Sequence, residues 1–212
     1  MDGSAALVRR AEARIAGDER LADAARDGRL SVMRGDVRSI STLNIRERFD
    51  LAVAAGVLPH LDGPEDALRL LGGTRSVLAR GGRLVIDDLG PAEMPVRDMP
   101  LSVDWRRDIG GREVVRRSEL VRRESPEGLR VAFSTIADAV QPDGTIARLP
   151  ASHRLWYPSP EALAALVKQA GMVVELSYGS HDLEPLGRES RRRIFVVAYE
   201  PATTQSHEVR FG

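Results

Sequence analysis

Cysteine is absent from this 212-residue chain, which removes disulfides, thiolate metal sites and cysteine nucleophiles from consideration. Net charge is absent as well, since Lys+Arg and Asp+Glu stand at 31 each. No global basic field collects phosphate backbones, so nucleic acid is not an expected partner. No apolar run approaches the roughly 20 residues of a membrane helix, so no membrane partner is expected either. The lack of an apolar N-terminal segment argues against secretion and for a cytoplasmic protein. Lysine is scarce beside arginine, a bias that reads as genomic composition. Gly-x-Ser-x-Gly does not occur, no His, Asp or Glu cluster has metal-ligand spacing, and no internal repeat is visible.

What is present suffices for one sizeable core, with 42% hydrophobic residues. Residues 4–16 and 19–27 carry Ala, Leu and Ile at helical spacing, broken by Gly17-Asp18 and stopped by Asp27-Gly28. A short apolar run, Leu30–Met33, then reads as a strand before Gly35-Asp36-Val37. Phe49–Ala55 is nearly continuously apolar and reads as a strand buried on both faces. Pro64 to Leu78 reads as a helix opened by Glu65 and Asp66 at its positive end, although Gly72-Gly73 weakens its interior by about 1 kcal/mol per glycine. Gly81-Gly82 ends it and Arg83–Asp87 is the next strand, which makes a right-handed crossover unit.

From about Asp104 to Tyr157 the pattern becomes a meander. Arg112–Glu124, Leu129–Val140 and Thr145–Tyr157 are strand-like and separated by turn sequences at 125–128 and 141–144. Ser159-Pro160-Glu161 then opens a helix ending at Gly171, and Met172–Ser177 and Ile194–Tyr199 read as two closing strands. The division expected is a domain over 1–200, containing the antiparallel β insertion 104–157, and a disordered tail over 201–212.

An acid before a helix start (Asp2-Gly3-Ser4) and an apolar strand followed by another acid (Asp36) suit a site that grips a ribose and a base. In order and spacing the segments resemble a class I S-adenosylmethionine-dependent methyltransferase from the end of its second strand onward. The motifs carrying the resemblance are Asp2-Gly3-Ser4, Gly35-Asp36-Val37, Ala54-Ala55-Gly56-Val57-Leu58-Pro59-His60-Leu61, Ala79-Arg80-Gly81-Gly82 and His153–Leu163. The resemblance implies an α/β, Rossmann-like sheet with the order 3-2-1-4-5-7-6, carrying a three-stranded antiparallel insertion, with strands 1 and 2 and the glycine-rich loop lying outside the sequence. The chain departs from the family pattern at Arg80, where proline is usual.

The resemblance also implies an S-adenosyl-L-methionine site in which Asp36 accepts from the adenine amino group and the Val37 N–H meets a ring nitrogen. In that site Asp2 binds the ribose hydroxyls, and Ala54 and Ala55 lie beside the methionine moiety. The implied reaction is methyl transfer to an N or O nucleophile of a small molecule, with no metal. His60, after a strand end, is the candidate proton acceptor, with a backbone-bonded loop histidine as the alternative. Trp105, Trp156 and Tyr157 are candidates for the acceptor pocket, against plain core packing. Asp87 and Asp88 face the expected cleft or serve as caps. The pairs Arg116-Arg117 and Arg122-Arg123 read as solvated strand faces, or as a homodimer contact. Unpaired mid-sheet edges lead to the expectations of a truncated reading of a longer protein, a rearranged sheet, or completion by another chain. The alternative function is a non-catalytic remnant serving oligomerisation or an accessory role.

Overall fold

The computed structural model describes residues 1–199, so the expected tail at 201–212 lies outside the described residues. The crossover unit forms as its sequence suggests. Strand β1 (Phe49–Ala55) leads through a 3₁₀ turn at Leu58–His60 into helix α3 (Pro64–Val77) and then strand β2 (Leu78–Leu89). β1 and β2 pair in parallel, Val53 opposite Val85 and Ala55 opposite Asp87. Strands β8 (Arg192–Tyr199) and β7 (Met172–Tyr178) complete a four-stranded sheet of order β1-β2-β8-β7. That order matches the expected run 4-5-7-6.

The double glycines have separate reasons. Gly81 has φ +77°, a left-handed conformation that glycine adopts at no steric cost, and a Cβ on Gly82 would meet the Phe49 carbonyl at 2.9 Å. Strand β2 therefore begins at Leu78, earlier than Arg83, and absorbs the pair at a register shift between Phe49 and Leu51. In α3 the glycine that weakens the helix admits a neighbour: a Cβ on Gly73 would lie 2.9 Å from Cβ of Ile40. Ile40 belongs to a 3₁₀ segment, Val37–Thr42, that packs on α3.

One face of the main sheet is covered by α3 and by helix α4 (Pro160–Gln169), which Ser159 caps through the Ala162 N–H. Leu71, Leu84, Ile86, Val167 and Val197 are fully buried there. The other face corrects the expectation that β1 is buried on both sides, because Leu51 and Val53 are 57% and 62% exposed. The row Val53–Val85–Val196–Leu176 runs across this face in register, and Leu176 is also exposed. Helices α1 (Ala5–Ala16) and α2 (Glu19–Arg26), capped by Ser4 and Asp18, pack chiefly on each other.

Leu30–Met33 forms no strand. Only an isolated parallel bridge, Asp2 with Arg34, marks the place. Among the described residues no strand pairs with the outer edge of β1, and with no ladder partner the short run Leu30–Met33 stays irregular.

The meander forms its own sheet. To the three expected strands, β4 (Glu113–Ser125), β5 (Gly128–Val140) and β6 (Ile146–Pro158), it adds a fourth, β3 (Met99–Asp108), in the order β3-β4-β5-β6. The alternation in Leu101, Val103 and Trp105 signals that strand. Among the described residues no helix is long and apolar enough to cross a membrane.

Candidate functional site

Ligands of α/β sheets gather at the carboxyl ends of the parallel strands, and here the C-terminal end of β1 opens into a cavity of about 860 Å³. Asp2, Asp36, Val37, Ala55 and His60 all line it. Five of the nine residues expected in the cofactor, proton-acceptor and acceptor-pocket roles therefore line one cavity. The opposite wall is tied down by backbone bonds, Asp2 N–H donating to the Met33 carbonyl at 3.1 Å and Gly35 N–H donating to the Asp2 carbonyl at 3.0 Å. Gly56, with φ +63°, turns the chain out of β1 and donates its N–H to the Asp87 carbonyl at 2.8 Å.

Asp36 caps the 3₁₀ segment by accepting from the Arg38 N–H at 2.9 Å, and its carboxylate accepts from Arg38 Nη2 at 2.6 Å. Hydrogen bonds from the Arg38 side chain and backbone hold the Asp36 carboxyl below the usual carboxylate range, so it is an ionised acceptor at neutral pH. The side chain is 43% exposed, but Arg38 contacts both oxygens twice, Oδ1 accepting from its N–H and Nε and Oδ2 from Nε and Nη2, so a further donor has to displace part of that guanidinium contact. Asp2 Oδ1 accepts from the Ser4 N–H at 2.7 Å, which leaves its second oxygen unengaged among the described residues. Two carboxylates and a wall of small residues at Ala55 and Gly56 fit a nucleoside with vicinal hydroxyls.

Ala54 lies elsewhere. Successive strand residues face opposite sides, and Ala54 is 5% exposed in the core under α3. The three aromatic candidates are not brought together. Trp105 sits on β3 with the Arg107 guanidinium 5.1 Å from its ring centroid. Trp156 is 1% exposed and joins the main core. Tyr157 belongs to a smaller core with Leu129 and Val131.

The two acids at the end of β2 have opposite environments. Burial pulls the Asp87 carboxyl up, but hydrogen bonds from His181 and Arg192 more than offset this and the group ends below its ordinary value. His181 Nε2 lies 3.0 Å from Asp87 Oδ2, and Arg192 Nη2 donates to Oδ1 at 2.6 Å. Sequence reading missed His181, because the partners lie 94 positions apart and no motif links them. Asp88 points into the molecule, is 2% exposed, and is raised to about 6, chiefly by burial. Among the described residues no group of three or more His, Asp or Glu is arranged to hold a metal ion.

No protein-family model matches the chain, and no curated protein matches it. Solved structures do. The CcbJ methyltransferase from Streptomyces caelestis superposes with TM-score 0.67 at 17% identity, over 94% of this chain and 73% of that one. An S-adenosylmethionine-dependent methyltransferase from Clostridium acetobutylicum gives 0.60 at 15% identity, over 87% and 73% of the two chains. The sugar N-methyltransferase KedS8 from Streptoalloteichus gives 0.59 at 21% identity, over 84% and 67%. These likenesses establish the fold as that of the class I S-adenosylmethionine-dependent methyltransferases.

Proposed function

We propose that the chain catalyses methyl transfer from S-adenosyl-L-methionine to a nitrogen or oxygen nucleophile of a small molecule. The observation that supports this most is that one cavity at the C-terminal end of β1 is lined by Asp2, Asp36, Val37, Ala55 and His60 together. The fold adds to it. An amine is the better supported nucleophile, because similar structures include a sugar N-methyltransferase and a glycopeptide N-methyltransferase with its donor bound.

S-adenosylmethionine supplies a methyl group already activated by the sulfonium charge. Asp36, kept ionised by Arg38, accepts from the adenine amino group, and the Val37 N–H donates to a ring nitrogen. Asp2 accepts from the ribose hydroxyls. Ala55 and Gly56 shape the narrow end of the cavity, where close, in-line approach supplies much of the rate. His60, exposed at the rim, takes the proton that an amine or hydroxyl acceptor loses. The His181–Asp87 pair is a second proton acceptor at the same end of the sheet, since Asp87 lies opposite Ala55 in register.

Calorimetric titration of S-adenosylmethionine tests the reading. Asp36→Ala should weaken binding by about 1–3 kcal/mol, the range for losing a hydrogen bond to a charged group. Equal affinity in the variant removes Asp36 from the site, and no binding by the parent chain overturns the donor assignment. A panel of small amines and alcohols, read by release of S-adenosylhomocysteine, then separates a catalyst from a non-catalytic subunit.

A further inference from the structure

A second cavity, of about 440 Å³, lies between the meander and the loop after the 3₁₀ turn at Leu58–His60. Three arginines line it, Arg123 on β4, Arg130 on β5 and Arg154 on β6, above apolar surface from Val121, Ala132 and Trp156. The register explains the convergence. Arg123 is directly opposite Arg130, Arg130 is opposite Trp156, and Arg154 is opposite Ala132, so all three leave the same face of the sheet at one end.

These arginines differ from others on the sheet. Arg106 meets Glu113 at 3.0 Å, Arg116 meets Asp104 at 3.3 Å, and Arg117 and Arg148 share Asp138 at 2.5 and 2.7 Å. Around the cavity carboxylates are scarce. Arg154 has no ion pair among the described residues, and Arg123 has one long ion pair, to Asp98 at 3.7 Å. Arg130 is held by donation to the Asp62 carbonyl at 2.9 Å and by stacking on Trp156, 5.9 Å from the ring centroid. A carbonyl and a ring orient the guanidinium without neutralising it. The one carboxylate in the wall, Asp62, is 84% exposed and lies 3.9 Å from Arg38. The buried indole N–H of Trp156 also has no acceptor among the described residues.

We propose that this cavity binds an organic oxyanion, a carboxylate or a phosphate monoester. Its charge is held by Arg123, Arg130 and Arg154 and its apolar body rests on Val121, Ala132 and Trp156. Guanidinium forks match both oxyanions in bidentate geometry, and converging like charges are relieved by an anion between them. Leu61 lines this cavity and the one at the end of β1, so the anion belongs to the methyl acceptor. That assignment rests on the methyl-transfer reading, whereas the anion site does not.

The chain has two tryptophans, so Trp105→Phe leaves Trp156 as the only reporter. In that background phenyl phosphate and benzoate are titrated by fluorescence, and S-adenosylmethionine binding is measured separately by calorimetry. At least one of the two anions should give a saturable change, the responding one identifying phosphate or carboxylate. Arg130→Gln and Arg154→Gln should each weaken it about tenfold or more, and Arg130→Lys less. Arg106→Gln, on the same sheet but away from the cavity, should leave it unchanged. Saturation by neither anion overturns the inference, as does equal affinity in Arg130→Gln and Arg154→Gln with melting curves unchanged. If an anion binds while S-adenosylmethionine does not, the anion site stands and the methyl-transfer reading falls. With S-adenosylmethionine bound and both anions inert, the reverse holds.

Discussion

Asp88→Asn should change how stability depends on pH, in the direction opposite to that of an ordinary carboxylate. Asp88 is 2% exposed near the end of β2, and one carboxylate oxygen has no hydrogen-bond partner among the described residues. Opposite it in register stands Arg193, 3% exposed, whose Nη1 donates to the Pro158 carbonyl at 2.6 Å. Tyr157 on β6 lies under the same guanidinium, 5.9 Å from ring centroid to Arg193, while Asp87 and Arg192 flank the pair. Burial raises the Asp88 carboxyl to about 6; Arg193 opposes the rise and Asp87 adds to it. Arg193 is itself lowered by burial.

The folded value of about 6 lies above the ordinary 3.8, so between these pH values the folded state binds more protons than the unfolded chain. The contribution of Asp88 is therefore fully present below about pH 4 and is lost as pH rises through 6. The difference between 3.8 and about 6 corresponds to about 3 kcal/mol. Asparagine keeps the shape and cannot titrate. Urea denaturation of parent and Asp88→Asn from pH 4 to 7.5 cancels the titrations common to both chains. The parent should lose up to about 3 kcal/mol relative to the variant across that range, or about 6–12 °C in Tm for a domain of this size. A difference that stays flat, or that grows in the parent's favour as pH rises, would show that Asp88 is charged and satisfied in the fold.

Gly72 and Gly73 should respond oppositely to substitution. Nothing lies within 4 Å of a Cβ at Gly72, whereas one at Gly73 meets Ile40 at 2.9 Å. Gly72→Ala should thus stabilise by up to about 1 kcal/mol through helix propensity, and Gly73→Val should destabilise by about 1–3 kcal/mol through overpacking; thermal melts that rank the two the other way refute the packing of Val37–Thr42 on α3. Trp156→Ala should cost about 3–5 kcal/mol, as for a large buried aromatic, and a loss under about 1 kcal/mol in chemical denaturation would mean that Trp156 is not core. Val53→Lys replaces a residue 62% exposed on the open face of β1; it should reduce self-association in sedimentation velocity with stability held within about 0.5 kcal/mol, and unchanged association would show that this face is not sticky.

Local signals were legible because they are local. Pro160 after a capping serine, Glu65 and Asp66 at a helix start, and turn sequences at 125–128 and 141–144 each act within a few residues, and α4, α3 and the meander form where these signals stand. The meeting of Asp2, Asp36 and Ala55 was also legible, through the order of motifs. Long-range features were not. Burial of β1 depends on what packs against it, and a continuous apolar run reads alike whether one face is covered or two, so the exposure of Leu51 and Val53 has no sequence signature. The His181–Asp87 contact joins a loop to a strand end across 94 residues, and only the antiparallel pairing of β8 on β2 brings them together.

The Arg122-Arg123 pair shows the same limit at the scale of one dipeptide. Both residues read as solvated from sequence, yet strand alternation sends them to opposite faces. Arg122 is 22% exposed, bonded to Glu124 and donating to the Val96 carbonyl at 3.1 Å. Arg123 turns instead to the face it shares with Arg130 and Arg154. A doubled arginine in a strand therefore carries two separate readings, and which of them faces the cavity is decided by register with β5 and β6. Moving β4 by one residue would exchange the two roles, which ties the basic cavity to the pairing of Arg123 with Arg130 and not to the abundance of arginine.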